Sequence, residues 1–144
     1  MKFPDAPHSL KMACGENPKR VYGNRGQAPS TRMGNIAGYR KSWIRAKSYL
    51  SKLDEYEAKS DEAKELSYKP TRDLELETLA GALRGDILVH NHCYRADEMA
   101  MMIDVAKEFD YKITAFHHAV EAYKIADLLA CLLYTSDAAD EEDS

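Results

Sequence analysis

The chain has 144 residues, with 31% charged and 44% hydrophobic positions. That is one soluble domain's worth of sequence, neither disordered nor collagen-like. Its net charge of −4 is set by a tail: five acids fall in the last eight residues, leaving 19 acids against 20 bases elsewhere. The body is near neutral, with no global field to draw nucleic acid or an anionic membrane. The longest apolar run, Leu128 to Tyr134, is far short of the ~20 residues a membrane span needs. The N-terminus has no apolar stretch of the secretory kind. Three widely spaced cysteines (Cys14, Cys93, Cys131) predict free thiols rather than a disulfide framework, which fits a reducing, cytoplasmic setting.

In chain order, HSLKMAC (8–14) reads as a buried strand. Residues 15–35, rich in Gly, Pro and Asn, read as a long loop. Loops of that length usually have a task, and this one carries Lys19, Arg20, Arg25 and Arg32. Arg32 is taken as a substrate-facing candidate. Ile36, Tyr39, Trp43, Ala46, Leu50 and Leu53 form one apolar stripe at alternating spacings of three and four, which predicts a long helix. The stripe fades into EAKSDEAKE, a solvated helical extension, before a break at Pro70. Thr71 is the expected N-cap of a second helix, with Asp73 in its first turn and Gly85 as its stop. Residues 36–84 thus read as a helical stretch.

The period then changes. Residues 86–92 (DILVHNH) and 112–118 (KITAFHH) are apolar runs with polar ends, hence buried strands. Residues 96–108 and 120–130 have helical patterns. Met99, Met102, Ile103 and Ala106 share one face of the first, with Asp97, Glu98, Asp104 and Lys107 off it. The methionines at 99, 101 and 102 read as core. Alternating strands and helices imply a parallel sheet with right-handed crossovers. The fold class is α/β.

Four of the five histidines end two successive strands: His90 and His92 on one, His117 and His118 on the next. The C-terminal strand edge is the reactive face of parallel α/β folds. Alternation puts His90 and His92 on one side with Asn91 opposite. Neighbouring strands lie about 4.8 Å apart, so imidazoles from both ends can share one cation. Cys93 beside His92 invites a structural zinc reading, but no CxxC or HxxxH spacing accompanies it. A binding-module alternative rests on Arg40, Lys41, Arg45 and Lys47 with Trp43 and Tyr49. The periodicity places Trp43 on the buried stripe, against that alternative. A stand-alone α/β structural domain without catalysis is the other alternative.

Three segments carry a family resemblance: LKMACGENPKR (10–20), VHNHCYRADEM (89–99) and FHHAVEAYKIADLLA (116–130). They resemble the imidazolonepropionase-like and prolidase-like branch of the amidohydrolase superfamily. The resemblance implies a partial TIM-type (β/α)8 barrel, about three βα units with the long helical insertion, in residues 1–130. It implies a metal-dependent hydrolase of C–N bonds acting on a small amide, cyclic amide or dipeptide-like substrate. Carried over, His92 or His90 is the fifth-strand ligand, with His92 preferred because Arg95-Ala96-Asp97 follows it. His118 is the sixth-strand ligand. Lys11 is the carboxylated bridge between two metals, or Glu16 supplies a carboxylate instead. Arg95, Asp97, His117, Glu121 and Tyr123 fall behind the ligands as supporting residues. The cofactor is one or two divalent cations, zinc foremost. The family's first-strand His-x-His and eighth-strand Asp have no counterpart here, so the expectation is an inactive, poorly folding fragment of a parent enzyme that can be oligomeric. Residues 131–141 (CLLYTSDAADE) resemble a translated sequencing adapter of the kind met in metagenomic sequence, so 131–144 is expected to be a non-native tail.

Overall fold

The computed structural model describes residues 6–137. Strand β1 (His8–Ala13) leads into helices α1 (Glu16–Gly23), α2 (Arg32–Glu57), α3 (Asp61–Glu65) and α4 (Leu74–Arg84). Strand β2 (Ile87–Cys93), helix α5 (Ala96–Phe109) and strand β3 (Ile113–His118) follow. A 3₁₀ turn (Ala122–Ile125) then leads into α6 (Ala126–Asp137).

The sheet order is β1-β2-β3, all parallel, as the alternation of strands and helices predicts. Register runs from His8 opposite Ile87 to Ala13 opposite His92. Between β2 and β3 it shifts at Val89/His90: Val89 faces Ile113, but His90 faces Ala115. The skipped Thr114 accepts a hydrogen bond from Val89 N through Oγ1 at 3.3 Å. This bulge is what sets His117 opposite His92 and His118 opposite Cys93.

Among the described residues the main core packs against one sheet face. Met12, Val89 and Cys93 join a core with Ile36, Trp43 and Ala46 of α2 and Met99, Met102, Val105 and Ala106 of α5. Trp43 is 1% exposed and stacks on Tyr111 with ring centroids 4.3 Å apart. That burial removes the basic–aromatic surface imagined around it. Asn91 also lies on this covered face, fully buried. On the other face Lys11 and His117 are exposed and His90 is half-buried.

Several expectations are corrected. The long loop at 15–35 is shorter, because α1 occupies its first half and α2 starts at Arg32, capped by the Thr31 hydroxyl. Pro18 does not break α1, since it sits in the first turn, where no backbone N–H is required. Asp73, not Thr71, caps α4, accepting from Leu76 N at 3.1 Å. Gly85 ends α4 in the left-handed region (φ 84°), as its sequence position predicts. The last helix begins at Ala126 rather than 120, because positive φ at His118 and Ala119 (63° and 45°) forces a turn first. Cys14 and Cys93 are disulfide-bonded, with Cα atoms 5.4 Å apart. Their separation of 79 residues hides the fact that they end adjacent strands. Met101 is 43% exposed, unlike Met99 and Met102. The expected tail covers the end of α6 up to Asp137, and its remainder, 138–144, lies outside the described residues. Among the described residues no helix is long and apolar enough to cross a membrane.

Candidate metal centre

The C-terminal ends of the three parallel strands lie side by side at one sheet edge. The Ala13 carbonyl accepts from Asn35 Nδ2 at 3.3 Å and from the Tyr39 hydroxyl, tying the end of β1 to α2. Cys14 N donates to His92 O at 3.0 Å, extending the ladder one residue past β1.

Two imidazole pairs result. His92 and His118 lie edge-to-face with centroids 4.6 Å apart. His90 Nδ1 and His117 Nε2 are 2.9 Å apart, so one ring donates to the other and at least one is neutral. Lys11 stands opposite His90 in the register. His92 is 8% exposed, and its Nδ1 is buried with no hydrogen-bond partner. Burial first, then the neighbouring His118 and the Lys11 charge, lower its pKa below the usual histidine value. The shift favours the neutral imidazole, the form that ligates a metal. A buried imidazole with an idle nitrogen beside a second imidazole fits two positions of a divalent-cation donor set. Among the described residues no group of three or more His, Cys, Asp and Glu side chains is assembled for a metal.

The remaining candidates separate. Glu16 is engaged by Lys19 at 2.9 Å and by Arg32 at 3.9 Å, and the Lys19 contact holds its carboxyl below the usual range. Arg32 Nε binds Glu98 Oε1 at 2.8 Å. Arg95 grips Asp97 through two bonds of 2.8 and 2.9 Å, a local exposed pair. Glu121 accepts from Ala96 N at 3.0 Å. Tyr123 is 74% exposed, with Lys124 Nζ 5.9 Å from its ring centroid.

Two residues were not singled out by sequence. Tyr94 packs its ring against both His92 and His118, with centroids 4.9 and 5.2 Å away. Its signal was parity, since 90, 92 and 94 alternate onto one side. Glu98, placed off the apolar face by periodicity, is instead 8% exposed. Its carboxylate sits so close to Gly15 that a Cβ there would fall 2.3 Å from Oε1. Gly15 (φ 75°) thus serves both a left-handed turn and this close approach. No sequence pattern announces such a contact.

With this geometry in view, the chain was compared with known proteins. Over 126 residues it is 41% identical to the amidohydrolase tasK of Hapsidospora irregularis, covering 83% of this chain. A solved amidohydrolase from Thermotoga maritima MSB8 matches with a TM-score of 0.75 at 40% identity over 86% of this chain. The chain is related to the amidohydrolases. It spans 12% of the length of tasK and 30% of the solved chain. No family model matches it. The likeness covers a mixed α/β architecture with a three-stranded parallel sheet.

Proposed function

We propose that this chain is a sector of a metal-dependent amidohydrolase barrel that hydrolyses a C–N bond in a small amide, cyclic amide or dipeptide-like substrate. The observation that carries the reading is the His92–His118 contact at the strand ends, beside the sheet face away from the main core. His92 and His118 hold a divalent cation, zinc foremost, with the His90–His117 pair and Lys11 on the open face alongside. Such a cation supplies Lewis acidity, polarising an amide carbonyl and making hydroxide available near neutral pH.

The chain's own residues orient and shelter. Burial favours the neutral form of His92, whose nitrogen is offered without first losing a proton. Tyr94 covers both rings and limits water at the ligand edge. Lys11 is the residue for a carboxylated bridge in a two-metal site, because Glu16 is held by Lys19 and Arg32. Arg32 is tied to Glu98 beside the turn after β1 and stays part-exposed, which leaves it available to a substrate. The leaving nitrogen receives its proton from a carboxylate that the resemblance puts on a later strand. This sector alone is therefore inactive, and with both edge strands open it folds weakly.

The test is metal content and hydrolysis in the intact protein. His92→Ala and His118→Ala should each lower bound zinc and cut amide hydrolysis by 100-fold or more. Full metal occupancy in both variants would reject the assignment. Amide exchange on residues 1–130 alone should show weak protection, and a strongly protected cooperative core would reject the sector reading.

A further inference from the structure

The first turn of helix α5 carries its own acids, Asp97 and Glu98. Arg95 occupies the N-cap position and makes no side-chain capping bond. Instead Ala96 N donates to Glu121 Oε2 at 3.0 Å, across 25 residues of sequence. An unpaired first-turn N–H and the positive end of the helix dipole both favour a carboxylate there. The other carboxylate oxygen is held by Lys124 Nζ at 2.6 Å. The same two segments are joined twice more through backbone: Ala119 N to Cys93 O at 2.9 Å, and Glu121 N to Tyr94 O at 3.0 Å. The turn that follows His118 is thus fastened at three points to the turn that follows His92.

Building on the metal-centre reading above, we propose that Glu121 is a positioning residue that sets the spacing of the His92 and His118 rings. It does so by capping the helix that leaves one histidine strand from the turn that leaves the other. The tether has something to resist. His118 and Ala119 both hold positive φ (63° and 45°), a conformation that L-residues keep only when their surroundings impose it. The backbone bonds reach only as far as Tyr94 on the turn that follows His92. The side-chain bond from Glu121 adds a third point at Ala96, the start of α5, so the His118 ring keeps its place against His92. Glu121 acts through the backbone.

The test uses the intact protein with Glu121→Ala, Glu121→Gln and, as a control, Asp73→Ala, which removes the cap of α4 away from the histidines. The first readout is the nuclear Overhauser contact between the His92 and His118 rings in metal-free protein. The second is cobalt(II) affinity with its visible absorption band. Glu121→Ala should lose the ring contact, weaken cobalt binding about 10-fold or more, and shift the band. Glu121→Gln keeps an acceptor oxygen and should retain the contact, with affinity within about threefold. Asp73→Ala should lower Tm without moving either signal. An unchanged ring contact and band in Glu121→Ala overturns the proposal, as does an equal loss in Asp73→Ala. If the wild type binds no cobalt, the metal reading falls, and the ring contact alone then decides for or against positioning.

Discussion

The two faces of the sheet are made from alternate residues of the same strands, yet they follow different rules. On the covered face Met12, Val89 and Cys93 pack into α2 and α5, and Trp43 fills the layer behind them. On the open face Lys11, His90 and His117 stand away from the main core. The first face carries the packed core, and the second carries the residues of the proposed metal site. One-residue alternation lets a short strand serve both, because neighbouring side chains never compete for the same surroundings.

The sharpest way to break this comparison is to empty the covered face. Trp43→Ala should cost about 3–5 kcal/mol, since it removes the largest fully buried side chain of the core. Urea unfolding of the intact protein should show this, whereas His90→Ala on the open face should move the midpoint little. Equal losses would erase the distinction between the faces. Next is the cross-strand bond between Cys14 and Cys93. Because it closes a separation of 79 residues, Cys93→Ala or added reductant should cost roughly 2–5 kcal/mol. A wild-type midpoint indifferent to dithiothreitol would refute it. The smallest effect concerns the rim between the faces. Ala119→Gly should stabilise by about 0.5–1 kcal/mol, because glycine holds the positive φ there without a Cβ penalty. A loss of stability would mean the surroundings need that methyl more than they suffer its strain.

Where the sequence was read correctly, the signal was local. The strands announced themselves as short apolar runs with polar ends, and the α2 stripe put Trp43 inside. The histidines could be placed at strand termini because each followed such a run directly. Errors arose where a partner lay far along the chain. Glu98 has the charge of a surface residue and was assigned to the solvent side. Its partner Arg32 is 66 residues away, and no helical period encodes that distance. The cysteines were misjudged for the same reason, and the α5 cap was invisible because its donor and acceptor are 25 residues apart. Gly and Pro at 15–35 signal a loop, yet Pro18 falls in the first turn of α1, where a proline breaks nothing.

The amino-acid order alone determined that this chain builds parallel strands ending in imidazoles, since hydrophobic period and residue type act over a few neighbours. Which imidazoles meet was decided only by the tertiary structure. The extra residue at Thr114 shifts β3 against β2 and puts His117 opposite His92. The left-handed turn at His118 then swings its ring onto His92. Both depend on how two distant segments pair, and pairing energy is shared between chains of atoms that neither segment contains by itself.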